Sequence, residues 1–96
     1  MAEGLRAQVH YSGNVQGVGF RFTTRWIAKR YEVAGFVRNL SDGRVEVVCE
    51  GTPEQVRGFL SAIEEQMRPY IRSKEVEESE PTGEFTGFEI TFALWR

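Results

Sequence analysis

Between Thr52 and Pro69 the apolar residues Val56, Phe59, Leu60, Ile63 and Met67 fall at i, i+3, i+4, i+7 and i+11, one stripe down an α-helix. Thr52 is a good N-cap, Pro53 suits the first helical position, and Gln55 completes a Thr-x-x-Gln capping box. Pro69 marks the end. A helix with a single apolar stripe has to bury it against another layer, and it covers one face of that layer only. The rest of the chain has to supply the layer.

Most of it reads as strand. Residues 7–12 alternate apolar and polar at period two, as a half-buried strand does. Phe36–Leu40 and Arg44–Cys49 are short strand-like runs joined by Ser41-Asp42-Gly43, whose Asp-Gly pair favours the positive φ of a tight hairpin turn. Ser73–Glu80 is a weak, acidic strand ended by Pro81-Thr82-Gly83, and Phe88, Ile90, Phe92 and Leu94 alternate as a final strand. A first helix is expected from about Phe20 to Tyr31, where Phe22, Trp26, Ile27 and Arg30/Tyr31 recur every three to four residues, with Gly35 as its stop. The order is strand, helix, strand, strand, helix, strand, strand. It predicts an α+β fold: a ferredoxin-like α/β sandwich, with a mostly antiparallel sheet of four to five strands and two helices on one face. Ninety-six residues without a linker or repeat make one domain, 1–96.

Composition narrows the function. One cysteine and one histidine exclude an internal disulfide framework and make a zinc centre of His and Cys improbable, so no metal and no cofactor is expected. There is no apolar run near 18 residues and no signal-peptide pattern, which makes a cytoplasmic protein without a membrane role the default. The net charge of −2 disfavours a polyanion such as nucleic acid. That total is uneven. Residues 1–48 carry seven basic and four acidic side chains, residues 49–96 five basic and ten acidic. An anion is to be sought in the first half.

The first half holds a loop suited to one. Gly13-Asn14-Val15-Gln16-Gly17-Val18-Gly19-Phe20 is glycine-rich, so successive N–H groups can turn toward one point. The expected helix begins there, and its free amides and positive dipole end face the same point. Arg21 in its first turn is unfavourable for the dipole by up to ~1 kcal/mol, a conflict that a bound anion removes. The segment is neither a Walker A loop, lacking Gly-Lys-Ser/Thr, nor a dinucleotide fingerprint, lacking Gly-x-Gly-x-x-Gly in a parallel βαβ unit.

The loop Gly13–Arg21 strongly resembles the signature of the acylphosphatase family, and Gly35-Phe36-Val37-Arg38-Asn39 followed by Asp42-Gly43-x-Val45 resembles its second signature. Their separation, the helix from Thr52 and the Phe88-Glu89-Ile90 strand also match, so the resemblance covers roughly 7–92. Phe36 stands where the family often has Trp, and the tail from Thr91 runs a little long. The short length favours a free-standing enzyme over the similar domain of large carbamoyl-phosphate-processing maturation proteins.

The resemblance implies metal-independent hydrolysis of acyl phosphates, with phosphate or sulfate competing for the site. Carried over, Arg21 binds phosphate, Asn39 positions the attacking water, and the backbone amides of Gln16, Gly17, Val18, Gly19, Phe20 and Arg21 complete a cradle. A carboxylate is a good leaving group, so charge neutralisation and an oriented water suffice. The acyl group is left open: 1,3-bisphosphoglycerate, carbamoyl phosphate and acetyl phosphate all present the same anhydride.

Other residues have plainer expected roles. His10 reads as a surface histidine, Cys49 as a packed thiol, and Trp26, Phe59 and Met67 as core. Arg25, Arg30, Arg38 and Arg44 read as solvated charges that raise the local potential, and Glu75, Glu77, Glu78 and Glu80 as guards of an exposed strand. The default state is a monomer. The alternative is a ferredoxin-like module that binds a small ligand or RNA without catalysis. Gly17-Val18-Gly19-Phe20-Arg21-Phe22 echoes an RNA-recognition motif, but that motif belongs on an interior strand after the first helix.

Overall fold

The computed structural model describes residues 3–92. Five strands, β1 (Leu5–Gly13), β2 (Val33–Asn39), β3 (Val45–Gly51), β4 (Ile71–Ser79) and β5 (Phe88–Ile90), form one sheet in the order β4-β1-β3-β2-β5. Two helices, α1 (Phe20–Ala28) and α2 (Pro53–Met67), contribute to the same core cluster. All pairings are antiparallel except β2 with β5, where Gly35 faces Phe88 and Val37 faces Ile90. This is the expected α+β sandwich.

Period-two alternation chooses the faces. Ala7, Val9 and Tyr11 of β1, Val37 of β2, and Val45, Val47 and Cys49 of β3 are buried in the core cluster. Ile27 and Ala28 of α1 and Val56, Phe59, Ile63 and Met67 of α2 close it. Burying each large side chain contributes roughly 1.5–3 kcal/mol. Phe59 also meets Phe88 edge-on at 5.2 Å. The stripe on α2 is buried throughout, as its spacing requires. Cys49 is fully buried, and burial pushes its thiol up to about 12.

Several local expectations are corrected. Trp26 is not core: it is 63% exposed, and Phe22 is 65% exposed. The buried face of α1 is instead Phe20, Thr24, Ile27 and Ala28, spaced i, i+4, i+7 and i+8. Phe20 packs its ring on Tyr11 at 5.2 Å and sets the phase. Phe22 then lies about 200° around a helix of 3.6 residues per turn and faces away.

The helix is α-helical only to Ala28; Lys29, Arg30 and Tyr31 continue as i→i−3 bonds to Trp26, Ile27 and Ala28. Gly35 is no helix stop. It lies inside β2 opposite Cys49, where a Cβ would come within 1.9 Å of the Val48 carbonyl oxygen. The capping box is half made. Thr52 Oγ1 accepts from the Gln55 amide at 3.2 Å, but Gln55 Oε1 accepts from the Glu32 amide instead.

Strand β5 is only three residues long. Thr91 still donates to Val37 O, Phe92 is exposed, and Leu94 lies outside the described residues. Gly43 takes φ 97° in the hairpin turn, as Asp-Gly suggests. Edge strand β4 is exposed along Arg72–Ser79, where Glu75, Glu77 and Glu78 sit.

The sheet face away from the core carries two buried carboxylates that have no signal in the sequence. Glu46 receives Gln8 Nε2 at 2.8 Å and Arg38 Nε at 2.7 Å, and pairs with His10 Nε2 at 2.9 Å. Arg38 is therefore no solvated charge; its side chain is 12% exposed. His10 likewise has a partner rather than lying loose on the surface. Glu50 receives Arg6 and the amides of Thr82 and Gly83, which ties the β4–β5 crossover to the sheet.

Candidate active site

Strand β1 ends at Gly13, where the register with β4 shifts and Asn14 donates to Tyr70 O at 2.9 Å. The loop that follows is anchored at both ends, by Val15 at 0% and Phe20 at 2% exposure. Gln16 fixes its middle: Nε2 donates to Leu40 O at 2.8 Å and to Arg44 O at 2.9 Å. These carbonyls flank the mouth of the β2–β3 hairpin. The side chain of Gln16 thus clips the glycine loop to the end of β2, where Asn39 sits.

Gly17 and Gly19 adopt φ 80° and 81°, and no non-glycine residue among those described has positive φ. A side chain there would find open space but would cost ~1–2 kcal/mol in backbone strain. Gly19 is the N-cap of α1 and provides no side-chain cap, and the first turn holds no acid. The first intrahelical bond runs from Thr23 N to Gly19 O, which leaves the preceding amides without intrahelical partners. The helix dipole places partial positive charge there. Arg21 adds a full one.

These parts meet in a cavity of about 90 Å³ lined by Val15, Gly17, Gly19, Phe20, Arg21, Phe22 and Asn39. The structure therefore brings together Gly17, Gly19, Phe20, Arg21 and Asn39 from the expected set. It does not bring Gln16 or Val18 to the lining: Gln16 is the clip, and Val18 packs against the core. Among the described residues the Asn39 side chain makes no hydrogen bond and is available to a guest. Larger depressions occur elsewhere, such as one of about 280 Å³ beside Arg68, Arg72 and Lys74. That one lies between α2 and β4, and Lys74 there is already paired with Glu64.

Two site neighbours lie outside the set expected from the sequence. Phe22 borders the cavity, and Phe92 lies under the Arg21 guanidinium at 5.0 Å. The RNA-type reading fails on placement, since Phe20 and Phe22 are on the first turn of α1 rather than on an interior strand, and Phe20 is buried. Among the described residues no group of three or more His, Cys, Asp or Glu gathers as a metal site, and no helix is long and apolar enough to cross a membrane.

Comparison with known proteins agrees with the signatures. The acylphosphatase family model matches residues 7–90. An acylphosphatase of Syntrophobacter fumaroxidans is 45% identical over 92 residues, covering 94% of either chain. The crystal structure of acylphosphatase from Bacillus subtilis superposes with a TM-score of 0.82 at 30% identity, over 92% of this chain and 99% of that one. Full-length HypF, solved in a phosphate- and nucleotide-bound form, matches 95% of this chain with 12% of its own, at 30% identity and a TM-score of 0.80. With both signatures on the matched stretch and the cavity between them, the chain belongs to the acylphosphatase family.

Proposed function

We propose that the protein hydrolyses acyl phosphates to a carboxylate and inorganic phosphate, acting as a cytoplasmic monomer, with Arg21 and the glycine-loop amides holding the phosphoryl group and Asn39 orienting water. The observation that carries this reading is the cavity lined by two positive-φ glycines, an uncapped helix start, Arg21 and Asn39. All of these come from one chain, so a monomer suffices. Each is a donor, a positive charge or an orienting amide, and none is a general acid.

That inventory matches the chemistry. Water attacks phosphorus, the bond between phosphorus and the bridging oxygen breaks, and the electron pair leaves with a carboxylate that needs no protonation. The transition state needs stabilisation of charge on the non-bridging oxygens. Amides and a guanidinium aimed at one point give it without reorganisation. Asn39 cannot take a proton at neutral pH, but its carbonyl oxygen can accept one hydrogen bond from the water and fix its line of attack. The water's proton passes to the bound phosphoryl group, which is released as inorganic phosphate. Phosphate or sulfate occupies the same cradle and competes.

The test is hydrolysis of benzoyl phosphate near neutral pH with and without excess chelator. Turnover that is equal in both, and inhibited competitively by phosphate, is the expected result. A folded, phosphate-free protein that fails to turn over benzoyl phosphate overturns the proposal.

A further inference from the structure

The cavity at the start of α1 is small beside the groove that adjoins it. It measures about 90 Å³, against about 330 Å³ for the open groove beside it. An acyl phosphate held there has to lay its acyl group on whatever surface adjoins the rim. Phe22 is a rim residue and is 65% exposed. The same residue borders a second, open groove of about 330 Å³, formed with Thr23, Trp26, Ile27 and Gln66.

Phe22 and Trp26 are one helical turn apart and therefore neighbours on the helix surface. Helical side chains lean toward the N-terminus, so position 22 covers the first turn, beside the cavity, and position 26 covers the turn behind it. The result is an apolar strip that starts at the phosphate cavity and runs along α1. Neither aromatic belongs to the core cluster, and the fold leaves both more than 60% exposed. The strip's far end is marked by the Arg30 guanidinium, 5.3 Å from the Trp26 ring centre.

We infer that this strip is the acyl subsite: Phe22 and Trp26 take the hydrocarbon part of the substrate, so the protein favours acyl phosphates with an aryl or other bulky apolar group over small ones. The inference rests on the reading that the phosphoryl group binds at Arg21. It adds what that reading lacks, a determinant of the leaving carboxylate. A half-open apolar surface discriminates at the low end of the range for hydrophobic sites, about tenfold.

The experiment compares kcat/KM for benzoyl phosphate and acetyl phosphate in the parent protein and in Phe22→Ala, Phe22→Leu and Trp26→Ala, each checked for fold by circular dichroism. The benzoyl-to-acetyl ratio should fall about tenfold in Phe22→Ala, fall less in Trp26→Ala, and recover in part in Phe22→Leu. The inhibition constant of benzoylphosphonate, measured relative to that of phosphate, should rise in the same order. If the parent turns over both substrates and folded Phe22→Ala leaves the ratio unmoved, the subsite is wrong and the phosphate site stands. A parent that turns over neither overturns the phosphate reading and the subsite with it.

Discussion

The guanidinium carbon of Arg21 lies 5.0 Å from the centre of the Phe92 ring. Arg21 is on the first turn of α1, while Phe92 follows the shortest strand of the sheet, so the contact joins the helix start to the last described residue of the chain. An arginine in that position is repelled by the helix dipole. A ring face beneath it offers attraction of ~0.5–1 kcal/mol at an exposed site and restricts its rotamers. Phe92→Ala should therefore raise KM and the inhibition constant of phosphate about two- to fivefold, with kcat little changed. Steady-state kinetics with phosphate as competitor measures both.

Under the proposed mechanism Arg21 and Asn39 should separate in their effects, because one would hold the phosphoryl group from binding through the transition state while the other would act on water alone. Arg21→Ala should abolish measurable phosphate binding and cut kcat/KM by ~10²-fold or more, the scale of losing one oxyanion donor. Asn39→Ala should lower kcat by a similar factor and leave phosphate affinity within about twofold. Isothermal titration with phosphate alongside turnover distinguishes them. Normal turnover in folded Asn39→Ala would remove the water-positioning role.

Gly19 tests the loop rather than a side chain. It holds φ 81° at the N-cap of α1, and a methyl group there meets no atom within 4 Å. Gly19→Ala therefore creates no clash, only a conformational cost of ~1–2 kcal/mol. If the loop relaxes to avoid it, the amides swing out of line. Stability should fall by about that amount in urea titration, and kcat/KM should fall well beyond what the loss of folded protein explains.

Tyr11 and Thr24 each bury a hydroxyl oxygen with no hydrogen-bond partner among the described residues. Burial also pushes the Tyr11 phenol well above its usual range, so it stays neutral. A buried polar atom without a partner costs ~1–3 kcal/mol, and replacing it by an apolar group of the same shape removes that cost. Tyr11→Phe keeps the ring on Phe20 and should leave stability unchanged or raise it by ~1 kcal/mol. A loss of more than about 1 kcal/mol would mean the hydroxyl has a partner.

The parts of the fold set by local periodicity are legible in the amino-acid sequence. The α2 stripe, the alternation of β1 and the Asp42-Gly43 turn all depend on residues close along the chain. What is not legible depends on distant partners. Trp26 and Phe22 look like a core stripe until Phe20 packs on Tyr11 and rotates α1 the other way. Glu46 and Glu50 look like surface acids, yet their partners lie 8 to 38 residues away for Glu46 and 32 to 44 for Glu50. At the site, Arg21 and Asn39 are visible through the two signatures. The clip by Gln16, which makes them neighbours, has no signal of its own: nothing local says that an amide side chain will bridge to the carbonyls of Leu40 and Arg44.

Glu50 gives the protein an acid limit. Burial alone would raise its pKa, but hydrogen bonds from the amides of Thr82 and Gly83, from Arg6 and from the Thr82 hydroxyl outweigh that and hold it at about 2, against an ordinary 4.5. A group whose folded pKa is lowered contributes stability above its unfolded pKa and loses it as pH falls through the folded one. The contribution is thus complete above about pH 4.5 and disappears toward pH 2. Glu46 shifts in the same direction through His10, Gln8 and Arg38, which together outweigh its burial, and adds to the same slope. Glu50→Gln keeps the shape and removes the charge that four donors address. It should cost ~1–3 kcal/mol at pH 7, the scale of hydrogen bonds to a charged group, and it should flatten the stability profile between pH 4.5 and 2. Urea midpoints taken across that range, parent against variant, check it. Parallel profiles would show that the crossover at Thr82–Gly83 is held by something other than this carboxylate.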